Sequence, residues 1–325
     1  MTFQKKAVSA SSCGSNVVRL ALAVAVLCSV GAARAQTGRP ATKYTFTSFY
    51  PGGVADKYGA AYGIDNAGDV VGDYYASSGW DGYERLADGT FNPVDYSGNS
   101  TVPVGINSGG TIIVGAACVP ASREMLSLLD NARNLGFCTS KGYQIAGFLY
   151  QNGSFTQYEF PGNLPTGIDG INDSGAYVGF YSQNKTNTGF ISNGNTVSYN
   201  GGYTHLNSIN DNGVIVGTGG LAGAAGAVGF EANTSGQITS TLQYPGSIST
   251  SANGINNQGV VVGMYVDSSG VGHGYIYKKG KYTTLPVPPG AVKNKFQYWG
   301  INDSGQLSGS YTDKNYEVWG FVATP

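Results

Sequence analysis

The residues best suited to chemistry form a short aromatic and acidic segment: Trp80, Asp81, Tyr83 and Glu84. A pair of carboxylates can act as acid and base in glycosidic bond cleavage, and aromatic side chains with a polar tip are common at recognition surfaces. These four residues are therefore our candidate ligand-binding site. The alternative interpretation is a solvated loop in which Glu84 and Arg85 form an exposed ion pair.

The two histidines, His205 and His273, lie far apart in the sequence, and neither has a second histidine or a cysteine in its own segment. Zinc sites usually draw several such ligands from one local pattern, and a general base usually has partner groups nearby. We therefore interpret both histidines as polar residues near strand ends. The signatures of metalloproteases, serine hydrolases and nucleotide-binding loops are also missing, so the sequence predicts no catalytic residue, metal or cofactor.

Carboxylates recur in one repeated turn, at Asp65, Asp173, Asp211 and Asp303. Asp and Asn side chains commonly bond to the backbone of their own turn, and this is the role that we expect here. The spacing of a calcium-binding loop is missing. If the turns surround one mouth of a channel, they could jointly hold a cation.

The turns belong to a phrase, Gly-Ile-Asx-x-x-Gly-x-x-x-Gly, that occurs six times. Its copies span Gly63–Gly72, Gly105–Gly115, Gly170–Gly179, Ser208–Gly217, Gly254–Gly263 and Gly300–Gly309. The segments around each copy are short, rich in β-branched and aromatic residues, and separated by Gly and Asn, which predicts four strands per copy. Successive isoleucines of the phrase are 42, 65, 38, 46 and 46 residues apart. Four strands in about 40 residues is a propeller blade.

The two ends of the chain predict how the propeller closes. The last copy stops at Pro325, one strand short of a full blade, whereas Tyr44–Gly52 supplies a spare strand at the start. We therefore expect an all-β, six-bladed propeller that is closed by this N-terminal strand, because closure removes exposed sheet edges. Trp299 and Trp319 are expected to pack between blades. The alternative is an open β-solenoid or a pair of sandwiches.

The 65-residue interval contains an insertion of about 25 residues in the second blade. Cys118 and Cys138 bracket it, and they are expected to form a disulfide. Between them, Ser122–Leu135 has apolar residues at helical spacing. This predicts a disulfide-pinned helix (insertion about 118–138) that acts as a structural cap, or alternatively as a lid or a partner-binding surface.

The first 35 residues read as a secretory signal peptide, with a basic start, a short apolar stretch and the small-residue cleavage site Ala33-Arg34-Ala35. The predicted mature chain, 36–325, is a single domain with 14 basic and 19 acidic residues, a net charge of −5. That charge argues against nucleic-acid binding. No other apolar run is long enough for membrane insertion. We expect a secreted or periplasmic monomer.

The phrase Gly-Ile-Asn-Asp-Ser-Gly and the segment Gly147–Thr156 resemble the HAF-repeat family of predicted extracellular bacterial proteins. The resemblance covers nearly all of residues 43–323. It implies a secreted, propeller-like β protein, and it implies no activity and no site residues. The disulfide-bracketed insertion and the charged Glu84-Arg85 pair depart from the repeat.

Three functions fit this sequence. The first is a binding or interaction module for a protein or a polysaccharide, indicated by a rigid ring rich in aromatic residues that has no catalytic pattern. The second is a glycan-active enzyme, a hydrolase or lyase, with Glu84 or Asp81 as the acid. The third is a structural component of the cell surface. The fold alone does not choose between them.

Overall fold

The structure is a computed structural model that describes residues 43–51, 58–76, 79–121, 138, 142–184, 186–220 and 226–325. These residues belong to one compact unit, Pro40–Pro325. The predicted signal peptide and the predicted helix Ser122–Leu135 lie outside the described residues. In the described part, every regular element is a β-strand.

The strands form six four-stranded antiparallel sheets, the blades of a β-propeller. Blade 1 consists of β2 (Gly59–Ile64), β3 (Val70–Ala76), β4 (Gly79–Arg85) and β5 (Phe91–Val94). Blade 2 consists of β6 (Thr101–Ile106), β7 (Ile113–Pro120), β8 (Tyr143–Gln151) and β9 (Ser154–Tyr158). Blade 3 consists of β10 (Thr166–Ile171), β11 (Tyr177–Gln183), β12 (Thr186–Ile191) and β13 (Thr196–Val197).

The second half of the chain repeats the pattern. Blade 4 consists of β14 (Thr204–Ile209), β15 (Ile215–Gly219), β16 (Val228–Ala232) and β17 (Ile238–Leu242). Blade 5 consists of β18 (Ser249–Ile255), β19 (Val261–Val266), β20 (Gly272–Lys278) and β21 (Lys281–Thr284). Blade 6 consists of β22 (Phe296–Ile301), β23 (Leu307–Thr312), β24 (Val318–Thr324) and β1 (Thr45–Phe49). The predicted six-bladed, all-β propeller is thus confirmed.

Strand β1 pairs antiparallel with β24, with Thr45 opposite Thr324 and Phe49 opposite Gly320. The outer strand of blade 6 therefore comes from the opposite end of the chain from the other three. Phe49 is buried and packs edge-on against Phe91 of blade 1, with 6.1 Å between ring centroids. This strand contributes both backbone pairing and an apolar contact to the neighbouring blade.

The core lies between the blades, and one position of the third strand supplies six of its largest fully buried side chains. This position follows a glycine and holds an aromatic ring that is fully buried in every blade. The six rings are those of Tyr83, Phe148, Phe190, Phe230, Tyr275 and Phe321. The preceding glycine lets the next blade pack closely, since a Cβ on Gly147 would lie only 2.7 Å from the Ile168 side chain. The Gly-aromatic pair of the sequence is therefore a packing element.

The predicted disulfide is confirmed: Cys118 of β7 is bonded to Cys138. Both cysteines are buried and pack in one cluster with Ala116 and Ile145. The bond closes a sequence separation of 20 residues, which removes loop entropy from the unfolded chain. It therefore ties the end of the insertion to the inner part of blade 2.

Candidate functional site

The six inner strands share a β-bulge, an extra residue that interrupts the pairing with the second strand of the blade, immediately before the Gly-Ile of the repeated phrase. In β10, for example, Ile168 pairs with Gly179 and Gly170 pairs with Val178, so Asp169 between them is left out of the ladder. A bulge re-aims the side chain that it carries. The corresponding residues are Tyr62, Val104, Asp169, Asn207, Asn253 and Trp299. We call this set the bulge ring.

All members of the bulge ring line a central cavity of about 450 Å³. Asp73, Trp80, Phe180 and His205 add to its wall. The cavity has the volume typical of small-molecule sites. The phrase around the bulge repeats, whereas the bulge residue differs between most blades. These differing side chains all face the same cavity.

The repeated turns lie at one end of this cavity and are bonded to each other in sequence around the axis. The side-chain amide of Asn302 donates to the Asp65 carbonyl oxygen across 2.8 Å, which links blade 6 to blade 1. The same bond recurs between neighbouring blades from Asn172 to Asn210, from Asn210 to Asn256 and from Asn256 to Asn302. These buried amides hold the inner ends of the blades together.

A second ring of polar side chains covers the axis at this end. The Ser108 hydroxyl of blade 2 lies 2.7 Å from a carboxylate oxygen of Asp173 of blade 3 and 3.0 Å from one of Asp211 of blade 4, so its single proton is shared between the two. Asn257 of blade 5 donates to Asp211 and to Asp303 of blade 6, at 2.6 and 3.1 Å. The Asn257 amide also lies 3.4 Å from the Ser108 hydroxyl, and this contact between the opposite blades 5 and 2 spans the axis. Polar side chains therefore cover the axis at the turn end.

The expectation that the turn carboxylates bond to the backbone of their own turns holds for Asp65 but not for Asp173 and Asp211. Asp65 does accept bonds from the backbone of its own turn, from Gly68 and Asp69. Asp173 and Asp211 instead accept from backbone N–H groups of the neighbouring blade. The reason is that the preceding Asn of the phrase already caps the turn, as Asn172 does for Ala176.

The glycine of the phrase permits the inner strands to meet. A Cβ on Gly170 would lie 2.7 Å from the Ser208 Cα, and one on Gly105 would lie 2.7 Å from the Asp169 carbonyl oxygen. Neither distance is compatible with a side chain. Glycine at this position therefore allows the backbones of neighbouring inner strands to come into close contact next to the bulge ring.

Asp73 is the first of two unusual carboxylates in the wall. It lies on β3, is 3% exposed, and accepts a hydrogen bond of 3.2 Å from the Tyr62 hydroxyl. Burial disfavours the charged form and raises the pKa of Asp73 from its ordinary 3.8 to about 7, although the bond from Tyr62 lowers it. Burial, with Asp73 nearby, also raises the pKa of Tyr58 to about 12. This side of the wall is protonated in mildly acidic solution.

Asp169 of the bulge ring is the second unusual carboxylate. Its side chain is 15% exposed, and no described residue donates a hydrogen bond to its carboxyl group. Burial raises its pKa to about 7. Oδ2 of Asp169 lies 4.0 Å from Nδ1 of His205, whose pKa is lowered by burial to about 4. His205 is therefore neutral near pH 7 and does not act as a counter-ion.

His205 is held by two neighbours. Its ring stacks on Phe180 with 4.2 Å between centroids, and its Nε2 lies 2.7 Å from the Asn187 side-chain amide nitrogen. If that amide donates, Nδ1 carries the proton and faces Asp169. His205 thus lines the cavity, whereas His273 forms a 2.9 Å pair with Asp267 on the β19–β20 hairpin and does not line the cavity.

The predicted site residues on β4 do not form one surface, because successive residues of a strand point to opposite faces. Trp80 lines the cavity and packs edge-on against Tyr58 and Tyr75, at 4.7 and 5.2 Å. Tyr83, on the other face, is 1% exposed and donates to the Ala60 carbonyl oxygen. The two aromatic residues therefore do not belong to one cluster: Trp80 lines the channel and Tyr83 lies in the core.

The two acidic members of that segment lie on opposite faces as well. Asp81 is half-buried and interacts with Tyr74, its partner across the strand pair. Glu84 accepts a 3.1 Å bond from the Asn92 side chain. Neither lines the cavity. The proposed exposed pair of Glu84 with Arg85 is not formed, since the Arg85 guanidinium lies 4.5 Å over the ring of Phe49.

Sequence reasoning missed Asp73, Asp169 and Trp299 as channel residues. Trp299, expected to pack between blades, packs edge-on against Tyr62 of blade 1 at 5.6 Å and also faces the cavity. One pattern could have revealed two of the three: Asp169 and Trp299 each precede the first glycine of a phrase copy, at a position that holds five different residue types in the six copies.

The described residues contain no group of three or more His, Cys, Asp or Glu side chains arranged to hold a metal ion. They also contain no helix long and apolar enough to cross a bilayer. The candidate site is a cavity lined by aromatic rings and by two carboxyl groups, Asp73 and Asp169, that have few hydrogen-bond donors among the described residues.

The fold is shared with solved structures of low sequence identity. The TolB from Acinetobacter baumannii aligns with a TM-score of 0.50 at 13% identity, over 85% of this chain and 65% of that chain. The putative TolB from Agrobacterium tumefaciens gives 0.52 at 12% identity, over 83% and 91%. The virginiamycin B lyase from Staphylococcus aureus gives 0.46 at 10%, over 87% and 100%. No family model and no curated protein matches this sequence. The likeness to the two TolB structures shows the fold and assigns no activity.

Proposed function

We propose that this protein is a ligand-binding module and that its ligand enters the central channel from the end opposite the repeated turns. The observation that carries the proposal is the bulge ring. Six inner strands share the isoleucine of the phrase and, in five of them, the glycine before it, yet each directs a bulge residue of largely different type into the same cavity. A repeated strand whose side chains differ where they line one cavity supports recognition there.

The partner is a protein or a polysaccharide, of which a protruding group enters the channel. The contact of Ser108 with Asn257 spans the axis at the far end, between the opposite blades 2 and 5, so a long chain cannot thread through. Trp80, with the exposed ring of Tyr75 beside it, lies towards the open end, because β3 runs away from the turns and its end pairs with the start of β4. These two rings offer an amphipathic surface to the part of the partner outside the channel.

A glycan-active hydrolase or lyase is the second candidate, favoured by Asp73 and Asp169. A buried carboxyl group with a pKa of about 7 can act as a general acid at neutral pH. In this candidate the acid is one of these two residues rather than Asp81 or Glu84, neither of which lines the cavity.

The proposed location of the protein is supported by the disulfide. Disulfides persist in oxidising compartments, so the Cys118–Cys138 bond supports a periplasmic or extracellular location, with residues 1–35 as the signal peptide. Pairing of β1 with β24 is proposed to keep the ring closed. The repeated phrase supports membership of the HAF-repeat family.

The test is a glycan and peptide array probed with residues 36–325. Three variants accompany the parent protein: Val104→Trp, which fills the channel from the bulge ring, Trp80→Ala, and Glu84→Ala as the matched control on the same strand. We expect array hits to be lost in the first two variants and kept in the third. Hits that persist in Val104→Trp but vanish in Glu84→Ala would place recognition outside the channel. Turnover of a bound glycan that stops in Asp73→Asn or Asp169→Asn would favour the enzyme.

A further inference from the structure

We infer that the group entering the channel is an organic ammonium ion, attracted by Asp73 and Asp169 and held against the aromatic rings of the wall. The inference rests on the proposed function, since it names the ligand chemistry of the same cavity. It is carried by the charge, the hydrogen bonding and the ring content of that cavity.

The cavity is lined by acidic groups without basic ones. Four carboxylates line it, those of Asp73, Asp169, Asp211 and Asp303, and no Lys or Arg is among the described residues of the wall. Asp211 and Asp303 accept hydrogen bonds from neighbouring turns at the closed end. Uncompensated negative charge in a concave site attracts cations.

Asp169 shows the lack of compensation most clearly. A buried carboxylate is stable when it accepts hydrogen bonds or meets a positive charge. Among the described residues, Asp169 has no donor, and its neighbour at 4.0 Å, His205, is neutral near pH 7. Asp73 has a single described side-chain donor, the Tyr62 hydroxyl. A ligand cation would supply the missing partner of Asp169, and Asp73 adds a second carboxyl group to the same wall.

The aromatic wall suits an organic cation. Trp80, Trp299, Tyr62 and Phe180 all line the cavity. The face of an aromatic ring attracts an ammonium group within about 6 Å, most strongly for Trp. A divalent metal would instead require several oxygen ligands converging on one point, and the described residues provide no such group. The combination of rings and separated carboxylates therefore favours an ammonium group on an organic body over a metal ion.

The titratable groups of the wall predict how binding depends on pH. These are Asp73, Asp169, Asp211, Asp303, Tyr62 and His205. Burial raises the pKa of Asp73 and of Asp169 to about 7, so both lose their protons between mildly acidic and mildly basic solution. The tyrosine stays neutral there, since burial raises its pKa well above 10.0. Cation binding should therefore strengthen with pH and release protons near pH 6.5.

Isothermal titration calorimetry of residues 36–325 tests the inference with two probes of the same shape. Choline is cationic, and 3,3-dimethylbutan-1-ol is its neutral isostere. We expect choline to bind at least about tenfold more tightly than the alcohol, a difference of about 1.4 kcal/mol. Its affinity should rise by roughly tenfold or more between about pH 5 and about pH 8. Titration in two buffers of different ionisation enthalpy should show proton release.

Isosteric variants locate the effect. Asp169→Asn and Asp73→Asn should each weaken choline binding by about tenfold, whereas Asp88→Asn, in an exposed turn, should leave it unchanged. Equal binding of choline and the alcohol would overturn the ammonium inference while leaving a channel ligand in place. No heat with choline at about 10 mM would also overturn it, and the array result with Val104→Trp then decides the proposed function separately.

Discussion

The Asn302 side-chain amide donates a 2.8 Å hydrogen bond to the backbone carbonyl of Asp65, a residue 237 positions earlier in the chain. The bond joins the inner ends of blades 6 and 1, and it belongs to the series that links blades 3, 4, 5 and 6. Asn302 is 3% exposed. A single amide of the repeated phrase thus contributes to the contact between the last blade and the first.

Replacing Asn302 with Ala should destabilise the protein by roughly 1–3 kcal/mol. The change leaves the Asp65 carbonyl without that donor, and it also removes the Oδ1 acceptor of the Gln306 backbone N–H. The free energy of unfolding is measured by urea denaturation. Asn315→Ala, at an exposed turn position, is the matched control and should change it little. Equal effects of the two variants would show that the amide series does not stabilise the ring.

Asp65 stands where five blades have Asn, and its replacement by Asn should stabilise the protein above pH 6. Asp65 is 2% exposed, and burial raises its pKa from the ordinary 3.8 to about 6. A raised pKa means that the native state holds the proton longer than the unfolded chain. Stability is therefore full below about pH 4 and falls as the pH rises through about 6. An Asn side chain at this position does not ionise, so the free energy of unfolding does not fall with pH on its account.

The expected gain of Asp65→Asn is roughly 1–3 kcal/mol at pH 8, because one pKa unit corresponds to about 1.4 kcal/mol. Near pH 4 the gain should disappear. Urea denaturation at both pH values measures it. A gain of the same size at both would show that burial of the charge is not the cause.

Gly170→Ala should destabilise the protein by about 1–3 kcal/mol, the cost of overpacking. The new methyl group would lie 2.7 Å from the Ser208 Cα, so blades 3 and 4 would have to separate. Gly272→Ala is the control, because the atom nearest to its added methyl group lies 3.9 Å away. Thermal unfolding followed by circular dichroism compares the two. A tolerated Gly170→Ala would contradict close contact of the inner strands.

Loss of the disulfide should lower the free energy of unfolding by about 3 kcal/mol in the chain-entropy account. The comparison is between the parent protein and Cys118→Ser with Cys138→Ser, by urea denaturation with and without a reducing agent. The reductant should destabilise the parent protein and leave the double variant unchanged. An unchanged parent protein would mean that the bond is not formed in solution.

The propeller could be predicted from the sequence because the same pattern occurs six times. Six copies of a phrase, each with a turn formed by Asn or Asp and by Gly, predict the number of blades without reference to any single contact. Tyr83 shows the limit of reading residues singly. It looked like part of an aromatic and acidic cluster, yet alignment with Phe148 and Phe190 identifies it as the core aromatic of its blade.

The site was predicted less well, because its residues are brought together only by ring geometry. Asp73 and Asp169 lie on different blades, 96 positions apart in the sequence. Neither stands in a catalytic or binding pattern, and the bulge that re-aims Asp169 is a property of strand pairing. Trp80 was chosen because aromatic and acidic residues surround it on β4. It lines the cavity for another reason: it lies at the start of β4, at the end of blade 1 that is far from the repeated turn.

The most direct test of the account is the titration of the channel carboxylates by ¹³C NMR, with and without saturating choline. Asp73→Asn and Asp169→Asn assign the two resonances. The account predicts that both carboxyl groups titrate near pH 7 in the free protein, and that at least one pKa falls when the cation binds. Carboxyl groups that titrate near pH 4 in both conditions would contradict a desolvated, cation-binding channel.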